Sequence, residues 1–363
     1  MRMIPPRRLA LLPAAALAVL AGAVPAIAQG QPVPGPGTAI AAGAPPLPTG
    51  ITGVSFLVAD LDTGDILAAK DAHHPLLPAS TLKVLTGLTL IPRVPKFSTV
   101  TPTFADVNIE GSRVGIIENT NYPAYQLFRA MLMVSGNDAA NAIASAAGGQ
   151  AATARLMNDE ALRIGATETH AVNPSGLDAP GQTTTAYDLA LIARAAMRLP
   201  DFRAYVATKR STINGKGGHP LSISSHDKLL YNYDGAIGIK NGYTAKAGAT
   251  FVGAATRGGH TLLVTVMHAT PRVWPEVAHL MDWGFAAERT GAAPLGRLYE
   301  PPVRSVPTAA ASGTRVRAAA VHLHSGVGVP IAPAGVAVTL AGLLVLALRR
   351  RFARRPRKMS LPR

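Results

Sequence analysis

Residues 78–91 read PASTLKVLTGLTLI. From residue 82 onward the stretch is apolar apart from Lys83 and two threonines, which predicts a helix buried in a core. On such a helix Ser80 and Lys83 stand three residues apart and share a face. A serine hydroxyl needs a base to become a nucleophile, and a neutral amine beside it can serve. Ser80 also falls at the expected helix N-terminus, where free N–H groups favour developing negative charge. Ser80 as a plain N-cap and Lys83 as a surface lysine is the bland alternative. A lysine entering so apolar a run without a task is costly, and unexplained buried charges more often mark sites.

The S-x-x-K spacing is weak by itself. Ser225-His226-Asp227-Lys228 repeats it in a polar stretch with no buried helix behind it, and is read as coincidence. Two further motifs strengthen the first match. Ser135-Gly136-Asn137-Asp138 interrupts an apolar run, and Lys240-Asn241-Gly242-Tyr243-Thr244 closes a strand of small and apolar residues (GAIGI). An ordered trio, each member in the right setting, is far more specific than any one of them.

The flanking sequence predicts how these motifs are carried. Residues 53–60 (GVSFLVAD) and 65–69 (DILAA) read as strands joined by Asp62-Thr63-Gly64, a hairpin turn signal. Residues 124–147, 151–164 and 185–198 (TAYDLALIARAAMR) carry helical spacing. Residues 236–240, 250–257 and 261–267 read as consecutive strands, with Gly258-Gly259 as a tight turn between the last two. Strands at both ends with helices between predict an α+β (mixed α/β) fold, an antiparallel sheet with a helical cluster beside it.

The sequence resembles the serine D-alanyl-D-alanine carboxypeptidases, the low-molecular-mass penicillin-binding proteins of peptidase family S11. Six stretches carry the resemblance: FLVADLDTGDIL, PASTLKVLTGLTL, SGNDAANAIA, HAVNPSGLD, TAYDLA and GIKNGYTAKAG. It implies a penicillin-binding-protein/β-lactamase-like transpeptidase fold and an enzyme that removes the terminal D-alanine from peptidoglycan pentapeptide stems. By that resemblance Ser80 forms the acyl-enzyme, Lys83 is its base, and Ser135 relays the proton to the departing D-alanine. Asn137 holds Lys83 and the substrate backbone. Lys240, with Asn241, Gly242, Tyr243 and Thr244, binds substrate, Lys240 supplying positive potential for its terminal carboxylate. The backbone N–H groups of Ser80 and Tyr243 form the oxyanion hole. The partners implied are peptidoglycan stem peptides, with β-lactams as covalent inhibitors; no metal or organic cofactor is implied.

Asn241 departs from the family's Lys-Thr-Gly, although its amide can still donate a hydrogen bond. Two other functions are weighed. A class A β-lactamase uses a Glu to activate the deacylating water, and no E-x-x-L-N segment lies between Asn137 and Lys240. A catalytically silent cell-wall scaffold is disfavoured by the complete polar set. Other signatures are missing: no G-x-S-x-G elbow, no H-E-x-x-H, no P-loop. The His73-His74 pair reads as a loop feature rather than a metal site, and the lack of cysteine excludes disulfides and thiol chemistry.

Length and charge set the wider frame. The chain has 363 residues, 48% hydrophobic and 15% charged, enough for a sizeable core and against wholesale disorder. Of its +15 formal charge, three units lie in residues 1–28 and eight in residues 349–363, neither of which holds an acid. The basicity therefore concerns membrane topology, and no nucleic-acid partner is expected. Residues 1–28 have the layout of a cleaved signal peptide, ending in Ala26-Ile27-Ala28. Residues 29–48 are Gly/Pro/Ala-rich and read as a mobile linker, 49–288 as the catalytic domain, and 289–326 as a Pro/Ala-rich stalk. The uncharged run 327–348 is expected to be a transmembrane helix, with 349–363 as a basic cytoplasmic tail. Many members of the family instead carry a β-rich domain and an amphipathic anchor after the catalytic domain.

Overall fold

The computed structural model describes residues 35–299. Strands β1 (Thr38–Ile40), β2 (Ser55–Asp60) and β3 (Asp65–Lys70) form one part of the main sheet. Two small antiparallel pairs follow, β4 (Thr99–Val100) with β5 (Tyr122–Pro123), and β6 (Arg210–Asn214) with β7 (Pro220–Ser224). Strands β8 (Ala236–Thr244), β9 (Gly248–Arg257), β10 (His260–Ala269) and β11 (Gly296–Arg297) complete the sheet. Its order is β1-β3-β2-β10-β9-β8, with β11 also on β3, and every pairing is antiparallel.

Both faces of this sheet are covered. A 3₁₀ turn, Ala79–Leu82, leads into α1 (Lys83–Leu90), all of whose residues are buried. After α2 (Phe104–Val107) come α3 (Ala124–Met133), α4 (Asn137–Ala146), α5 (Gln150–Arg163), α6 (Ala186–Ala196) and α7 (Pro200–Val206). Of these, α1 and α3–α7 form a cluster over one face, followed in the chain by the short α8 (Leu229–Asn232). The last helix, α9 (Val273–Thr290), covers the other face. Leu57 and Ala59 of β2 join the helical cluster, whereas Phe56 and Val58 pack with Val277, Leu280 and Phe285 of α9. Double-sided burial explains why β2 reads as a continuous apolar run without polar alternation.

Four expectations are corrected in detail. The described part of the linker assigned to 29–48, residues 35–48, is built into the domain: β1 pairs with β3, Ala41 is buried, and Trp283 Nε1 donates to the Pro45 carbonyl at 2.8 Å. The supposed stalk likewise begins inside the fold, since α9 runs to Thr290, β11 pairs with β3, and Leu298 is buried. The helix expected over 124–147 is two helices, broken at residues 134–136, and β8 continues through Thr244 instead of closing at Lys240. The signal peptide at 1–28, the span at 327–348 and the tail at 349–363 lie outside the described residues, as does most of the stalk. Among the described residues no helix is long and apolar enough to cross a membrane.

Candidate active site

Three elements meet at Ser80: the turn before α1, the break between α3 and α4, and strand β8. Ala79 holds a left-handed backbone (φ 47°) that a residue with a Cβ seldom adopts. The surroundings impose it. Thr250 Oγ1 on β9 donates to the Pro78 carbonyl at 2.9 Å. Gly176 lies so close that a Cβ there would sit 2.0 Å from the Ala79 carbonyl oxygen. From the other side a Cβ on Gly242 would sit 2.7 Å from the Ser80 amide nitrogen and 3.0 Å from that of Thr81. Glycine at 242 therefore lets the β8 backbone run against the N-terminal amides of the turn.

Lys83 is fully buried and is the hub of the polar network. Its Nζ reaches Ser80 Oγ at 3.0 Å, Asn137 Oδ1 at 2.7 Å and the Ser175 carbonyl at 2.5 Å. Asn137 Nδ2 donates to the Glu110 carbonyl at 2.8 Å, which fixes its amide with the oxygen toward Lys83. Burial drives the Lys83 pKa well below that of a free lysine, the Lys240 charge adds to the effect, and Asp138 opposes it.

Ser135 also holds a left-handed backbone (φ 63°) and is buried between α3 and α4. The Asp138 carboxylate accepts from the amides of Val114, Gly115 and Ile116, tying the loop before β5 to the start of α4. Lys240 is 1% exposed and donates to the Asn241 carbonyl at 2.6 Å. Desolvation brings its pKa down to about 7, and Asp227 resists the fall. Asn241 is half-buried and Tyr243 is exposed. The Thr244 hydroxyl is already engaged, donating to Asp178 Oδ1 at 2.9 Å and accepting from the Ala247 amide at 2.9 Å. The three motifs are thus brought together, with Thr244 as a brace of the turn after Gly242.

A model of the D-alanyl-D-alanine carboxypeptidase family, Peptidase_S11, matches residues 40–271. The chain belongs to that family. It is 44% identical over 252 residues to D-alanyl-D-alanine carboxypeptidase DacB2 of Mycobacterium tuberculosis, covering 68% of this chain and 86% of that protein. With DacD of Escherichia coli the identity is 31% over 256 residues, 66% of this chain and 64% of the relative's length. Among solved structures, a Mycobacterium tuberculosis D-alanyl-D-alanine carboxypeptidase superposes with a TM-score of 0.67 at 41% identity, covering 72% of this chain and 99% of that one. A Streptomyces DD-transpeptidase gives a TM-score of 0.63 at 29% identity, covering 67% of this chain and all of the other.

Several residues that shape this carboxypeptidase site escaped the sequence reading. Ser175 contributes only its carbonyl oxygen, which any residue could offer; the turn that aims it is tied by Asn173 Oδ1, which accepts from the amides of Ser175 and Gly176. Asp178 holds Thr244, and Asp227 lies buried near Lys240. Asp227 belongs to the second S-x-x-K match. Its Ser225 hydroxyl accepts from the Asp227 amide, consistent with a turn rather than a nucleophile. His73 Nδ1 sits 2.6 Å from Glu168 Oε2 in the loop before the Ser80 turn. Among the described residues one group of metal-capable side chains gathers, Asp60, His260 and Glu288, and none of the three is on an element of this site.

Proposed function

We propose that this chain removes the terminal D-alanine from peptidoglycan pentapeptide stems through an acyl-enzyme on Ser80, and that β-lactams trap the same serine. The observation that carries the reading is the hydrogen-bond set of Lys83. Asn137 Oδ1 and the Ser175 carbonyl are acceptors only, so both N–H bonds of a neutral Lys83 are spoken for. Its lone pair then faces Ser80 Oγ, the one partner that has a proton to give. Burial supplies the neutral form, and the fixed acceptors supply the orientation.

In the acylation step Ser80 Oγ bonds to the carbonyl carbon of the penultimate D-alanine while its proton passes to Lys83 Nζ. The oxyanion is met by the Ser80 and Tyr243 amides, a role supported by the close approach of Gly242 to the Ser80 amide. As the C–N bond breaks, Ser135 relays a proton to the departing D-alanine amine. Water then cleaves the Ser80 ester, with Lys83 again as base. The Lys240 ammonium attracts the terminal carboxylate, and the half-buried Asn241 offers an amide N–H where relatives use a threonine hydroxyl. Asn137 spaces Lys83 and faces the substrate backbone. The two glutamates between Asn137 and Lys240 are Glu160, paired with Arg163, and Glu168, beside His73. Neither supports the deacylating role that a class A β-lactamase requires.

The sequence further supports secretion by a cleaved signal peptide at 1–28 and tethering through residues 327–348, with the catalytic domain outside the cytoplasm and residues 349–363 inside. Protease treatment of intact cells would then digest the catalytic domain and spare a tag placed after residue 363.

The activity is tested on the full-length protein, with and without Ser80→Ala, using a synthetic stem peptide ending in D-Ala–D-Ala. Released D-alanine and covalent labelling by fluorescent penicillin should both appear, and both should vanish in the variant. Neither signal from folded wild-type protein would overturn the reading.

A further inference from the structure

The Lys83 lone pair faces Ser80 only while the Asn137 amide keeps its oxygen toward Nζ. The bond that turns this amide runs from Nδ2 to the Glu110 carbonyl at 2.8 Å. Glu110 lies in the connection between α2 and β5, where residues 109–117 form neither helix nor strand and residues 110–113 are exposed. Such a segment does not hold a carbonyl in one place by itself. Ties to the start of α4 hold it here. The Asn137 amide donates to the Ser112 carbonyl at 2.8 Å. The Asp138 carboxylate, 1% exposed, takes three successive amides farther along. Its Oδ1 accepts from Val114 at 3.0 Å, and its Oδ2 from Gly115 at 2.8 Å and Ile116 at 3.2 Å. The fit against Asn137 is close: a Cβ on Gly111 (φ 77°) would lie 2.8 Å from Asn137 Nδ2.

The charge of Asp138 does not help the base. It opposes the fall of the Lys83 pKa, so a neutral residue would serve a neutral lysine better. An acid in the first turn of α4 also suits a helix N-terminus, but that role needs no hold on a distant loop. What the carboxylate offers is two oxygens that only accept. Oδ1 serves Ala139 at 2.9 Å as well as Val114. An asparagine could keep those two through its oxygen, but would then turn its NH₂ toward the Gly115 and Ile116 amides, donor against donor.

We propose that Asp138 is a positioning residue for the general base: its grip on residues 114–116 holds the Glu110 carbonyl against Asn137, and so fixes the amide that aims Lys83 at Ser80. It acts through the loop and Asn137, and among the described residues none of its hydrogen bonds goes to Lys83 or Ser80. The inference rests on the base role proposed for Lys83.

The test is Asp138→Asn in the full-length protein, read by the rate of acylation at saturating fluorescent penicillin from pH 7 to 10, with the melting temperature alongside. A misplacement of about 1 Å can cost about 10² in rate, so acylation should slow by about 10- to 100-fold, with the half-saturating penicillin concentration within about threefold. Losing the Asp138 charge lowers the Lys83 pKa further, so a higher pH should not restore the rate. A double-mutant cycle tests the route through Asn137. Asn137→Ala should slow acylation by itself, and adding Asp138→Asn should then change the rate by less than about twofold. Three results would each overturn the proposal: Asp138→Asn acylating within about twofold of wild type, a loss recovered at higher pH, or a full further loss on top of Asn137→Ala. If Asp138→Asn does not fold, Gly111→Ala carries the test. Its Cβ pushes the loop off Asn137 while Asp138 stays in place, and acylation within about twofold of wild type would overturn the proposal. Wild-type protein that takes no penicillin would instead overturn the reading of Lys83 as base, and this inference with it.

Discussion

Gly242→Ala tests whether the contact between β8 and the Ser80 turn is what builds the oxyanion site. The added Cβ would lie 2.5 Å from Thr250 Oγ1, 2.7 Å from the Ser80 nitrogen and 3.0 Å from the Thr81 nitrogen. Two of those three atoms are backbone, and Thr250 is itself bonded to the Pro78 carbonyl, so no flexible side chain can yield. Strand and turn must part by several tenths of an ångström, which moves the Tyr243 amide away from the Ser80 amide. Losing one oxyanion donor typically costs about 10²–10³ in kcat. Overpacking typically costs about 1–3 kcal/mol of stability, so the variant should still fold. The assay is the acylation rate with fluorescent penicillin alongside D-alanine release, with thermal melting as the control for folding. A folded variant that acylates within threefold of wild type would refute the placement of the oxyanion site.

Three further outcomes are expected. Lys83→Met should reduce acylation by about 10²–10⁴, the usual contribution of a positioned base, with circular dichroism unchanged. Gly176→Ala combines a φ of 80° with the clash against the Ala79 carbonyl. It should lower the melting temperature and slow acylation together, because it displaces the turn carrying Ser80. Lys240 has a folded pKa of about 7, below the ordinary lysine value of 10.5. The unfolded chain therefore binds more protons between those values, so the cost of burying this ammonium, full below pH 7, is relieved as pH rises. Melting temperature should fall less between pH 7 and 9 in wild type than in Lys240→Met, and identical slopes would contradict that assignment.

The hairpin of β2 and β3 was legible because Asp62-Thr63-Gly64 is a local turn signal between two apolar runs. The β9–β10 hairpin was legible for the same reason at Gly258-Gly259. Strands β1 and β11 were not. They are three and two residues long, sit among Gly, Pro and Ala, and exist only through pairing with β3. The break at Ser135 showed as a polar interruption, but its left-handed backbone did not, since serine carries no glycine-like signal. In the site, the Lys83 side chain could be picked out from its type and spacing, and the Ser175 carbonyl that it meets could not.

Residue type and short spacing were enough to establish the three motifs, their order and the family to which they belong. The groups that surround Lys83 and Lys240 became known only with the fold. Ser80 and Asn137 are 57 residues apart, and Ser175 and Asp227 lie farther along the chain, so no local pattern links them. Their meeting depends on β8 running against the turn before α1, where burial lowers the pKa of both lysines.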